Sequence, residues 1–200
     1  MIPESDLLLA LAAFCVVTLF TPGPNNIMLM TSGLNFGFRR ALPHLFGVAV
    51  GFTVMVLGVG LGLGAVFEAL PVLYTILKYG GAAYLLYLAW RIANAGPLKT
   101  DVAADGKPIT FMQAAAFQWV NPKAWVMAVG AISAYGAVAQ FPFNVALTAA
   151  LFGTLGVASS GTWVGFGHGL QRIINNPHSL RIFNYVMALL LVASLVPVFI

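Results

Sequence analysis

Two short stretches carry the residues with chemistry to offer: Thr21-Pro22-Gly23-Pro24-Asn25-Asn26 and Asn121-Pro122-Lys123. Each lies inside an otherwise apolar run. Proline removes a backbone donor and clashes with the carbonyl one turn back, so a helix entering from Leu7 should stop near Phe20 and restart around Pro24. Helices restarting after Pro24 and Pro122 would turn unpaired N–H groups and the positive ends of their dipoles toward whatever lies between them, a setting suited to a carboxylate. Asn25, Asn26 and Asn121 add amide donors and acceptors that suit a zwitterion, and Lys123 adds a full positive charge. A lysine at the centre of a bilayer costs about 2.5–3.5 kcal/mol on insertion scales, so it faces a partner or water, the alternative being a snorkelling side chain. Pro22, Gly23, Pro24, Asn25, Asn26, Asn121, Pro122 and Lys123 are therefore the expected binding residues.

Other reactive groups are sparse. His44, His168 and His178 show no metal-ligand spacing, which leaves no metal site and no cofactor to expect, and an interfacial or helix-capping role is expected for them. A pH role is a second option for His168, and Lys78 is open between snorkelling and gating. Cys15, the sole cysteine, excludes an internal disulfide and reads as a small apolar filler. An intramembrane enzyme would need an oriented nucleophile and base. Ser159 and Ser160 lack a histidine–carboxylate partner placed to activate them. A metal-cation channel would want acidic rings or thiolates within the spans, and the sequence supplies neither.

These stretches need elements to hold them. Hydrophobic residues make up 60% of the 200-residue chain and charged residues 7%, with mean hydropathy +0.94. A soluble domain is about a quarter charged, so lipid has to solvate this chain. At roughly 20 residues per span about six helices fit, as one transmembrane domain over residues 1–200. The first runs from about Asp6 to Phe36 through the Pro-Gly-Pro break, the second from Ala41 to Phe67, and the third from Val72 to Ala93. A polar loop over about 95–108 follows, with Lys99, Asp101, Asp105 and Lys107. The fourth runs from Ile109 to Tyr135 through Asn121-Pro122-Lys123, the fifth from Phe143 to Leu170, and the sixth from Ile182 to Ile200. Gly47 and Gly51, with the glycines after them, read as close helix packing. Tyr84, Tyr87 and Trp90 read as an aromatic belt, and Glu68 and Pro71 mark a turn.

Repeat one (about 1–94) and repeat two (about 109–200) each hold a broken span, a glycine-rich span and an uninterrupted span. Three is odd, so this all-α integral membrane fold is expected to be a 3+3 inverted repeat whose matched breaks meet at the midplane. Arg39, Arg40, Arg91, Lys99, Lys107, Arg172 and Arg181 follow the odd-numbered spans, and no Lys or Arg sits in the opposite corners. The positive-inside rule then puts both termini outside. The nine Lys and Arg form no stripe for nucleic acid. The expected partners are a small solute and membrane lipid, and self-association is left open.

The break residues, with Gly37-Phe38-Arg39-Arg40, Gly47-x-x-x-Gly51, Gly81-Ala82-Ala83-Tyr84-Leu85 and Asn121-Pro122-Lys123-Ala124, resemble the LysE/RhtB family of bacterial amino-acid exporters over nearly the whole chain. Lys107-Pro108-Ile109-Thr110-Phe111, Phe117-Gln118-Trp119-Val120-Asn121 and Gly167-His168-x-x-Gln171-Arg172 look most like its cysteine/O-acetylserine branch. The resemblance implies efflux of small amino acids across the inner membrane, driven by the proton-motive force without ATP. It also implies that the two break motifs are central. The absence of a mid-span acid favours a neutral substrate over lysine or arginine.

Overall fold

The computed structural model describes residues 4–63, 72–95, 108–174 and 176–196. The turn expected at Glu68 and Pro71 and the charged residues Lys99, Asp101, Asp105 and Lys107 lie outside them. The described chain folds as α1 (Glu4–Phe20), α2 (Pro24–Phe36), α3 (Phe38–Gly58) with a π turn over Val59–Leu63, α4 (Val72–Ala93), α5 (Phe111–Val120), α6 (Pro122–Ala134), a 3-10 turn over Gly136–Val138, α7 (Phe143–Leu170) and α8 (Pro177–Ala193). The Phe38–Gly62 and Phe143–Leu170 helices are long and apolar enough to cross a membrane. The α1–α2 pair, bent by 55°, makes a third if read as one span.

Local chemistry sets these limits. Pro24 and Pro122 each occupy the first turn of a new helix, where a missing N–H does no harm. Thr110 and Gln113 close a reciprocal capping box at the start of α5. α8 begins at Pro177, five residues before the expected Ile182, because Asn176 caps the His178 N–H and Pro177 supplies the preset φ. Gly37, at φ 78°, turns the chain between α2 and α3 in a conformation that favours glycine.

Packing fixes the direction of each helix. Phe14 and Leu19 of α1 lie against Phe152 and Ser159 of α7, so the two run the same way. α3 runs opposite to α7, since Phe52 meets Phe152 with ring centroids 5.1 Å apart while Leu45 faces Gly161. α5 runs with α3, Gly47 lying on Phe111 and Gly51 on Ala115. α4 runs against α5, Gly81 lying on the Val120 carbonyl and the Tyr84 hydroxyl donating to Gln113 O at 3.3 Å. Tyr84 is thus partly buried against α5 and not a member of an exposed belt. Tyr87 and Trp90 are exposed and stack with centroids 6.4 Å apart. α4 packs on α8.

Two hydrophobic clusters result, each drawing on residues from both sides of positions 96–107. Cys15, fully buried in the second, is an apolar filler as expected. Arg39, Arg40, Arg91, Arg172 and Arg181 lie toward one end, where Gln171 Nε2 donates to Leu34 O (2.7 Å), joining the ends of α7 and α2, and Asn184 Nδ2 donates to Ala95 O (3.1 Å), joining α8 to the end of α4.

Candidate functional site

Ending α1 at Phe20 leaves its last carbonyls without intrahelical donors. Side chains from three helices supply them. Asn26 Nδ2 of α2 donates to Leu19 O (2.9 Å) and Thr21 O (2.8 Å), and Ser159 Oγ of α7 donates to Leu19 O (2.9 Å). Lys123 Nζ of α6 donates to Thr21 O at 2.6 Å. The ammonium therefore sits on the negative end of the α1 dipole, a favourable place for a cation. Its stem lies along Gly23, where a β-carbon would fall 3.0 Å from Lys123 Cδ.

The two helix starts are not equivalent. Asn121 is buried, and its Oδ1 accepts the Lys123 N–H at 3.2 Å, so the start of α6 is already capped. This corrects the expectation that both starts present unpaired donors. Gly23 brings no side chain to α2, whose start carries no side-chain cap.

Across the gap, Asn25 and Gln118 pair head to tail. Asn25 Nδ2 donates to Gln118 Oε1 at 2.8 Å, and Gln118 Nε2 returns the bond to Asn25 Oδ1 at 3.1 Å and also donates to Ala114 O at 2.9 Å. The pair couples the first break directly to the second.

These groups share one cavity. Its lining includes Thr18, Gly23, Asn25, Asn26, Gln118, Asn121, Lys123, Ser159 and Ser160 beside apolar Val48, Phe52, Met127 and Phe152. Its volume is about 40 Å³. At roughly 10–15 Å³ per water-sized site it holds a few waters. Of the expected residues, Gly23, Asn25, Asn26, Asn121 and Lys123 line it, while Pro22, Pro24 and Pro122 shape the breaks without facing it.

Lys78 and His168 lie elsewhere. Lys78 is half-buried on α4, and exposed His168 bonds through Nδ1 to Gln171 Oε1 at 2.7 Å. His44 is neither interfacial nor a cap: it is fully buried, with Nδ1 2.8 Å from Ser32 Oγ. Gln118, Thr18, Ser159 and Ser160 were not among the expected binding residues. A usable signal existed for Gln118, a primary amide in an apolar run one turn before the Asn121 break, where a polar side chain faces the protein interior.

The family model for LysE type translocators matches residues 16–195. The chain is similar to the cysteine/O-acetylserine efflux proteins of Escherichia coli (strain K12) and Shigella sonnei (strain Ss046), each 35% identical over 200 residues that cover 96% of this chain and 97% of the relative. The protein of that name from Escherichia coli O139:H28 (strain E24377A / ETEC) is 34% identical over the same span. No solved structure matches.

Proposed function

Because the chain belongs to the LysE type translocator family, we propose that it is a secondary exporter of a small neutral amino acid, such as cysteine/O-acetylserine or homoserine/threonine, across the bacterial inner membrane. The observation that carries this reading is the meeting of both proline breaks at one cavity, lined by amides, hydroxyls and a lysine among apolar walls. Such a lining offers donors to a carboxylate and acceptors to an ammonium while holding no fixed negative charge. Six spans in a 3+3 inverted repeat, with the arginine-rich end cytoplasmic and both termini periplasmic, belong to the same proposal. The helix directions support it: Asn184, in the first half of α8, meets Ala95 just past the end of α4, and Lys123 and Tyr135 of α6 meet Thr21 and Phe14 in reverse order, so α1–α2, α3 and α4 run down, up and down, and α5–α6, α7 and α8 up, down and up.

The substrate carboxylate takes the Lys123 ammonium from Thr21 O and the uncapped start of α2, and the Asn25–Gln118 pair opens to receive the ammonium group. The cavity widens in the loaded state, since a few waters fill it as it stands. Lys78 and His168, outside the cavity, are assigned gating or coupling roles. Export requires no covalent chemistry from the chain and hence no catalytic residue.

The test uses vesicles loaded with labelled amino acids. The wild type should release a neutral amino acid faster than an Asn25→Ala/Lys123→Ala variant, and equal release by the two refutes the site. Esterified amino acids should compete poorly with free ones, because they lack the carboxylate.

A further inference from the structure

His44 is the one histidine, carboxylate, lysine or arginine among the fully buried described residues, and nothing in the cavity chemistry uses it. Its Nδ1 meets Ser32 Oγ at 2.8 Å, and its Nε2 is buried with no hydrogen-bond partner. One ring nitrogen is therefore either a bare lone pair or an unpaired N–H, an arrangement native interiors rarely leave without a reason.

Its position supplies one. Val48, one turn along α3, lines the cavity, and residues four apart share a helix face. Ser32 stands two turns along α2 from the cavity residue Asn25. The Ser32–His44 pair thus lies between the cavity and the arginine-rich end. There α2, α3 and α7 close on one another: the Val164 carbonyl abuts Gly33, the Met30 carbonyl abuts Gly167, and Leu34, Leu45 and Val164 are at most 3% exposed.

The groups that could compensate a charge on His44 are few. α2 and α5 carry no ionisable residue. α3 adds only Arg39 and Arg40, exposed in its first turns, with Arg40 over the Phe36 ring at 5.5 Å. α7 adds only exposed His168, and Lys123 of α6 is held on Thr21 O. All but His168 are cations. An imidazolium in the packed closure would have neither water nor counter-ion, so protonation requires the helices to part.

Resting on the proposed export function, we infer that His44 is a proton-operated latch: neutral while α2, α3 and α7 are packed, charged once the path from the arginine-rich end to the cavity is wet. Proton binding and opening are then linked, and acidification on that face favours the open, substrate-loading state.

The test needs no substrate. In a Cys15→Ala background, Val164→Cys places a thiol in the closure. Its alkylation in the full-length protein is followed from pH 8 to pH 6, normalised at each pH to the unfolded chain. Labelling should rise as pH falls, by at most about tenfold per pH unit for one linked proton. Adding His44→Gln should flatten the profile, while Ser32→Ala, which removes a hydrogen bond but keeps the imidazole, should preserve it. A flat profile in Val164→Cys alone, or an undiminished one with His44→Gln, overturns the latch. A chain that labels as expected yet releases no amino acid refutes the export reading alone.

Discussion

At the scale of single residues, Gln118 has the most to lose. Its amide is fully buried and makes the reciprocal pair with Asn25 plus the bond to Ala114 O. Gln118→Leu keeps the volume but leaves the Asn25 amide facing an apolar wall, and a polar group so stranded costs about 1–3 kcal/mol. Thermal unfolding in detergent should show a lower midpoint, and vesicle release should fall with it. Lys123 gives the opposite pattern. Lys123→Met preserves the stem along Gly23 and removes the ammonium from Thr21 O, a carbonyl that Asn26 also serves. The unfolding midpoint should then stay close to the wild type while the apparent affinity for a free amino acid drops. Asn25, Asn26, Asn121 and Lys123 were legible in sequence because amides and a cation stand out in apolar spans. What each one bonds was not. That Asn121 caps α6, and that Lys123 rests on the end of α1, depends on a bend whose direction no local residue specifies.

At the scale of helices, glycine decides who packs on whom. A β-carbon on Gly33 or Gly167 would collide with the backbone carbonyl of Val164 or Met30, and backbone cannot yield as a flexible side chain can, whereas Gly80 faces open space. Gly33→Ala should therefore destabilise the fold by about 1–3 kcal/mol or more, read as a loss of monodisperse protein after detergent extraction, and Gly80→Ala should leave the yield unchanged. The breaks themselves were readable, since proline acts through its own covalent geometry: α1 stops at Phe20, α2 starts at Pro24 and α6 at Pro122. The α4 and α7 limits, Val72–Ala93 and Phe143–Leu170, were readable from apolar runs of one composition. The start of α8 was misread because Asn176-Pro177, an N-cap followed by a proline in the first turn, has the composition of a loop. His44 was misread for a related reason. Sequence places it near a helix end, yet Ser32 on a different helix buries it.

At the scale of the whole molecule, the two halves hold each other together. The α1–α2 pair packs on α7 and the α5–α6 pair on α3; α3 and α7 pack on each other, and so do α4 and α8. The main contacts thus run between halves, and neither hydrophobic cluster could form from one half alone: Leu85 and Leu88 are buried with Phe117, Val164 and Leu191, and Phe52 and Met55 with Ala128 and Phe152. Lipid does not drive helices together as water does, so either half alone has only its own backbone contacts to order it, and the glycine contacts that lock α2 to α7 and α3 to α5 would be missing. Cutting the chain within residues 96–107 should consequently give fragments that fail separately and succeed together. With a tag on the first fragment only, co-expression should recover both from detergent extract in equal amounts and restore amino-acid release, while either fragment alone should be degraded. Recovery of one stable, monodisperse half by itself would mean that the packing within a half, and not the exchange of partners between halves, holds the cavity in shape.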